Sequence, residues 1–453
     1  MSLSLYLSLF LLLELTILVP KPRKTRRQLA YKYRYRGLTT YEQIELHMSK
    51  QALLAATSLL VIVPPETRSV VIVLTCMLTC IYLKRSYTLD NYLVLPTPPP
   101  TMISISDYND SECDLLFRFK KAELLELYKL LRFPYKVRFS NRVTLSGEEI
   151  MLRGLYEMNS RDTQYKISRH FGRCWTMQSR AWSFFVDHMY TEHKHLVHDS
   201  LHWWYRNNLL QASSKAVWEK IQEKLIKSGK ERLTGNDPFN TGLFIDCNCF
   251  ETSRPGGGPT DEGPESMRWL DEVQRAFYNG WKSMHGLKHQ TVDNAFGMTV
   301  DMRGPTSLRK HDLTLLRKSA INQRLADIQL GDSPDQQVRI FGDSAYPMMS
   351  HLFTYFDDNN YPGLKEYNYG LKSVRISIEW NYAVTAKLFP YVACPSKLRI
   401  LSTDSVAKVY TVATLLRNFH CALYGQQSAN YFRALPPNHG IIFLSKYINQ
   451  TDF

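Results

Sequence analysis

The chain has little that would make it a metal-stapled or membrane-spanning protein. Its eight cysteines, Cys76, Cys80, Cys113, Cys174, Cys247, Cys249, Cys394 and Cys421, include no C-x-x-C pair followed by a matching pair, which argues against a structural zinc site. They fit a reducing compartment. No apolar run reaches the roughly 20 residues that a spanning helix usually needs. Acid is in deficit: 42 Asp and Glu stand against 56 Lys and Arg, a formal net charge of +14. That excess favours a nucleic acid or an anionic membrane surface as partner. What is present is core-forming material. At 453 residues, 44% hydrophobic and 12% aromatic, the chain has enough for two or three packed domains, and disorder is not the default.

Residues 1–103 differ in texture from the rest. Leu3 to Val19 is almost continuously apolar, and Lys21, Arg23, Lys24, Arg26 and Arg27 follow it. A second apolar run, Val70 to Leu83, ends at Lys84-Arg85, and Leu95-Pro-Thr-Pro-Pro-Pro100 has the composition of a linker. The first run lacks the positive n-region of a secretory signal. A membrane anchor and a basic import signal both compete here with a poorly constrained extension, which is the reading that fits best.

Residues 104–235 read as helical. Lys121 to Leu131 is amphipathic and rich in helix formers. Ser146-Gly-Glu-Glu149 has the form of a capping box opening Ile150 to Leu155. Asp162 is the expected cap of Tyr165 to Phe171, which Gly172 ends. Thr176 to Arg180 then opens a further helix through Val186. Helix, Gly-containing turn, helix is the helix-turn-helix pattern, and it places Gln178, Ser179 and Arg180 where base contacts are made. Residues 117–190 carry 14 Lys and Arg against 7 Asp and Glu, half of the whole chain's excess. The bland alternative is a helical bundle that packs on its neighbour and touches no DNA. His188, His193, His195 and His198 lack a clean metal spacing and read as solvated helix residues.

Residues 236–430 hold the chemistry. Leu243-Phe-Ile245 is a short apolar strand delivering Asp246 at its end, and Val338 to Phe341 is another delivering Asp343. Glu379 lies on a helix from about Val374 to Leu388, with Arg375, Tyr382 and Ala386 on the same face. Between them, residues 253–268 are a Gly/Pro-rich mobile loop. Leu287 to Asn294 and Met298 to Arg303 are strands of a hairpin turning at Ala295-Phe-Gly297, and His311-Asp312 caps a helix starting near Leu313. Residues 431–453 are expected to be a C-terminal tail. Three carboxylates gathered from distant segments repel unless cations neutralise them. Two magnesium ions (or manganese), as hard cations preferring oxygen, would do so. Held by Asp246, Asp343 and Glu379, they would activate an attacking oxygen and stabilise a leaving one. Lys282, His285, Lys288 and Lys310 are candidates to hold the scissile phosphate. The order of strand, hairpin, strand and helix predicts a ribonuclease H-like domain of α+β or α/β class, a mixed sheet flanked by helices, preceded by the helix-turn-helix-like region.

At these residues the sequence resembles the Harbinger/PIF superfamily of transposases, over about residues 114–425. The blocks are Ile245-Asp246, Tyr278 to His285, Gly304 to Asp312, Gly342-Asp-Ser-Ala-Tyr-Pro347 and Glu379-Trp380; Leu415-Leu-Arg-Asn418 resembles the helix that closes the domain. The resemblance implies magnesium-dependent cleavage of double-stranded DNA at terminal inverted repeats and strand transfer into a short target site. It also implies a nuclear location and a Myb-like accessory protein. Pairing two DNA ends implies a homo-oligomer. Cys247-Asn248, Ala345 and Asn381-Tyr382 depart from the family's usual residues. A domesticated or inactive transposase-derived DNA-binding protein, a membrane-anchored protein and a host nuclease on the same fold are the competing readings.

Overall fold

In the computed structural model, residues 103–140, 142–256, 264–400 and 405–453 are described, with five single positions between Ile72 and Thr79. The basic stretch Lys21–Arg27, the Pro-rich linker and, apart from those five positions, both apolar runs lie outside the described residues. Among the described residues no helix is long and apolar enough to cross a membrane. Residues 98–453 form one compact unit.

The helical part begins with α1 (Asp110–Phe117) and α2 (Lys121–Leu130). Two short antiparallel strands follow, β1 (Lys136–Arg138) and β2 (Thr144–Ser146). Then come α3 (Gly147–Asn159), α4 (Gln164–His170), α5 (Trp175–His193), α6 (His195–His198), α7 (Leu201–Arg206) and α8 (Leu209–Lys227). Ser146 caps α3 by accepting the Glu149 N–H at 3.0 Å. The expected reciprocal half of the box is not made. Glu149 turns its carboxylate inward to Arg153 at 2.8 Å and Arg173 at 3.1 Å, because a guanidinium buried at 0% exposure needs a counter-charge more than an exposed N–H needs a cap. Thr163, not Asp162, caps α4 through the Lys166 N–H at 3.4 Å. Asp162 instead pairs with the Lys166 ammonium and accepts the Tyr156 hydroxyl. Gly172, at φ 60°, ends that helix as expected.

Two expectations for this region are corrected. Gln178 is buried. Its amide accepts from Arg153 at 2.6 Å and donates to Glu157 at 2.9 Å, so it ties α5 to α3 and has no face left for a base. The reason is helical phase: Met177, Gln178, Ala181, Trp182 and Phe185 form the inner stripe of α5. Ser179 is exposed and Arg180 half-buried. The histidines are not uniformly solvated either. His193 is buried and His188 half-buried, and both bond the Leu131 carbonyl; only His195 is well exposed. Burial pushes the His193 and His198 imidazoles down to about 4, so both stay neutral.

The second part contains β3 (Thr241–Glu251), α9 (Pro264–Phe277), β4 (Tyr278–Asn279), β5 (Met284–Asn294), β6 (Thr299–Ser307), α10 (Asp312–Ser319), α11 (Ile321–Ile328), β7 (Arg339–Phe341) and β8 (Leu352–Phe353). The helices α12 (Lys365–Leu388), α13 (Val406–Tyr424), α14 (Gln427–Phe432) and α15 (Ile441–Asn449) complete it. Across the sheet the order is β6-β5-β3-β7-β8, with β4 also on β5. β6, β5 and β3 pair antiparallel; β3, β7 and β8 pair parallel. This is a mixed sheet flanked by helices. The hairpin turns where Gly297, at φ 80°, supplies a left-handed residue, and both its strands run longer than the sequence pattern showed. Of the expected loop 253–268, residues 257–263 lie outside the described residues. From Pro264 the chain is already α9, whose first turn tolerates a proline's missing N–H.

Leu243, Phe244 and Ile245 of the central strand are buried on both faces. On one face α13 closes the hairpin through Arg417, which donates to Thr299 and the Gly297 carbonyl, and through Asn418, which bonds both backbone groups of Thr299. Residues 431–453, expected as a tail, are part of the core. Tyr447 of α15 packs 5.6 Å from the rings of both Trp203 and Trp204 and donates to the Leu196 carbonyl. Gln178→Ala is expected to lower unfolding stability by about 1–3 kcal/mol, because it leaves buried Arg153 and Glu157 underpaired, and to leave DNA affinity intact. Denaturant unfolding and a DNA-binding titration on the same variant check this. Lost affinity at unchanged stability would restore Gln178 as a base contact.

Candidate active site

Asp246 stands in the middle of β3, not at its end, because β5 keeps pairing with β3 as far as Glu251 opposite Gly286. The other edge is different. β7 stops at Phe341, opposite Phe244, so among the described residues no strand pairs with that side of β3 from Asp246 onward, and residues 246–249 are half-exposed. Asp343 comes two residues after Phe341, as Asp246 comes two after Phe244. Between them Gly342 is required by space, since a Cβ there would lie 2.9 Å from the Tyr346 ring and 3.0 Å from Ile245. The Ala345 N–H bonds the Asp343 carboxylate at 3.0 Å and the Tyr346 N–H bonds its carbonyl at 3.1 Å, closing a tight turn. Ala345 keeps a negative φ, so no glycine is needed there.

Glu379 reaches this edge from α12, which is bolted down just after it. Asn381 donates to the buried Asp293 carboxylate at 2.8 Å. The Tyr382 hydroxyl bonds Thr291, the residue opposite Asp246, at 2.8 Å. The unusual Asn381-Tyr382 pair thus lies mid-helix and docks the helix on the sheet. Arg375, one turn before Glu379, donates to it at 3.0 Å and lies 3.8 Å from Asp246. The Tyr355 hydroxyl lies near enough to interact with Arg375 electrostatically. Asp246, Glu379 and Arg375 therefore meet, and Asp343 lies close enough to raise the Asp246 pKa. Among the described residues no three His, Cys, Asp or Glu converge tightly enough as placed to hold a metal ion. The guanidinium stands between two of the carboxylates.

Burial pushes the Asp246 carboxyl up to about 6; the Cys247 N–H and Arg375 oppose the rise, and Asp343 and Asp312 add to it. Burial works against the Arg375 charge, but Asp246, Tyr355 and Glu379 outweigh it and hold that pKa above the usual range. Asp312 is the first residue of α10. Its expected partner His311 occupies the cap position without a side-chain bond. Asp312 pairs at 2.7 Å with Lys288, which is only 8% exposed, so Lys288 is a buried counter-charge and not a free phosphate contact. Lys282 and Lys310 are exposed on neighbouring turns. His285 is half-buried against the Tyr278 ring, and burial, then Arg254, lowers its pKa. Trp281, beside Lys282, is 95% exposed at the tip of the β4–β5 turn. The turn is held by the Asn279 side chain, which accepts the Lys282 N–H and donates to the Leu308 carbonyl.

A family model described as DDE superfamily endonuclease matches residues 261–418. That is a little over a third of the chain. It spans Asp343, Glu379, Arg375, Asp312 and the hairpin, and it begins after Asp246, whose place in the site rests on the strand register. No curated protein and no solved structure matches the chain. The match suggests a nuclease acting on DNA, and the mixed sheet flanked by helices is consistent with such a domain.

Arg375 and Tyr355 were not assigned roles from sequence. The four-residue spacing of Arg375 and Glu379 is a recognisable ion-pair signal; nothing in the sequence around Tyr355 marks it. An open cleft of about 550 Å³ lined by Phe277, Leu287, Pro305, Ile400 and Val406 includes none of the carboxylates.

Between about pH 4 and 6 the folded chain holds a proton on Asp246 that the unfolded chain has lost, so this group's contribution to stability falls as pH rises through that window. In chelator-treated protein, Asp246→Asn is expected to gain on the order of 1–3 kcal/mol at pH 7.5 and nothing at pH 4. Denaturant unfolding at the two pH values checks it; equal effects at both would mean the ionised carboxylate carries no cost.

Proposed function

We propose that the chain is a DNA transposase of the Harbinger/PIF type, whose ribonuclease H-like domain cuts and joins element-end DNA with Asp246, Asp343 and Glu379. The observation that supports this reading is that Arg375 links Asp246 to Glu379 while Asp343 lies near enough to act on Asp246, at a stretch of β3 that β7 no longer pairs. The donors fit a hard divalent ion. All three offer carboxylate oxygens, and Asp246 is desolvated next to two further acids with a single guanidinium opposing them. Magnesium or manganese, when bound, would supply Lewis-acid stabilisation of the attacking and leaving oxygens. Of the chain's own groups, the Cys247 N–H fixes one Asp246 oxygen at 2.7 Å, and the Asp343 turn fixes the second acid. Glu379, about half-exposed, is the ligand with freedom to move. Lys282 and Lys310 are placed to track phosphates, with Trp281 offering a ring for a base. Ser179 and Arg180 are the remaining candidates of the helix-turn-helix reading. A nuclear location, a homo-oligomer and a Myb-like accessory protein belong to the same proposal.

The deciding experiment incubates the chain with a labelled duplex carrying the ends of its own element, with and without Mg²⁺, adding the accessory protein in a parallel arm. Cleavage is expected in the wild type and at background level in Asp246→Ala, Asp343→Ala and Glu379→Ala. Binding without cleavage in both arms would establish the domesticated, non-cutting reading. Lys282→Ala and Lys310→Ala should each weaken DNA binding severalfold and lower the salt slope by about 1. An unchanged slope would remove them from the interface.

A further inference from the structure

We infer that Arg375 is an internal counter-ion that takes the charge role of a divalent cation while the site is metal-free, and that a metal ion enters by displacing it. This rests on the proposed metal-dependent reading of the same site and adds how the site is loaded.

The guanidinium bridges Glu379 at 3.0 Å and Asp246 at 3.8 Å, and Tyr355 lies near enough to interact with its charge. It is 24% exposed, so its charge is poorly screened. It donates hydrogen bonds and has no lone pair to give a metal. A dication a few ångströms from a fixed positive charge is repelled by an energy that grows as the local dielectric falls. Arg375 and a metal ion bound between Asp246 and Glu379 therefore exclude each other.

The two carboxylates differ in how readily they let go. Asp246 is anchored by the Cys247 N–H on a strand bonded to β5. Glu379 is 51% exposed and held to Arg375 by an i,i+4 pair, which is weak on a helix surface. Rotation of Glu379 thus breaks little, and withdrawal of the guanidinium gives up its contact with Asp246, which the incoming cation's charge replaces. Arg375 is planar and forked, so once withdrawn it can take a phosphodiester's oxygens in pairs. Metal entry and DNA binding then support each other: the ion frees the guanidinium, and the phosphate keeps it away.

The test titrates Mn²⁺ alone, then Mn²⁺ with a short duplex, into the full chain, and measures affinity by calorimetry for wild type, R375Q and R375K, with D343N as the site control. R375Q is expected to bind Mn²⁺ about tenfold tighter than wild type without DNA, equivalent to about 1.4 kcal/mol. DNA should tighten Mn²⁺ binding in wild type and add nothing in R375Q. R375K, a point charge too compact to bridge both acids, should fall between, and it serves if R375Q does not fold without metal. Equal affinities in wild type and R375Q, or weaker binding in R375Q, would overturn the displacement role and leave the metal-dependent reading standing. Mn²⁺ binding that survives in D343N, or is absent from every protein, would overturn the reading of the site itself.

Discussion

The buried carboxylate of Asp293 is the constraint on which the site's geometry depends. It accepts Thr299 across the hairpin at 2.6 Å and Asn381 of α12 at 2.8 Å, and its charge is opposed by Arg417 of α13. A buried acid has to be satisfied on all sides, so these partners are held with little freedom. The consequence reaches the chemistry. Asn381 lies two residues from Glu379, and Asp293 lies two residues along β5 from Thr291, which faces Asp246. Fixing one pair sets the rotation of α12 and the height of Glu379 over the strand.

On that frame the site stores electrostatic cost. Asp246 is placed where its ionised form is disfavoured by burial and by two neighbouring acids, with one guanidinium as compensation. A fold selected for stability alone would place an apolar or amide side chain there. Asp312, one of those two acids, is paired with Lys288, which is thereby withdrawn from the surface. Lys282 and Lys310, by contrast, face outward on the turns around β4, β5 and β6.

Where sequence reading failed, it failed in one way. Ser146, Gly172 and the hairpin follow from local chemistry, and the structure keeps them at the expected positions. Gln178, Lys288 and His193 were assigned to surfaces because polar residues usually lie there. In the folded chain each is recruited by a partner distant in sequence: Gln178 by Arg153, Lys288 by Asp312, His193 by Leu131. The residues after 430 were assigned to a tail for want of a motif. Trp203 and Trp204, more than 200 residues earlier, supply the apolar surface that makes them a packed helix.

The sequence by itself determined the periodic elements, the basic surplus, the order of strand, hairpin, strand and helix, and the identity of the acids, because these depend on neighbours a few positions apart. Tertiary structure alone decided that β7 stops opposite Phe244, so that Asp246 lies at an open edge in mid-strand. It alone placed a guanidinium between Asp246 and Glu379. Both are consequences of strand register and helix rotation. Those are fixed by long-range burial and hydrogen bonding, and no local pattern in the chain encodes them.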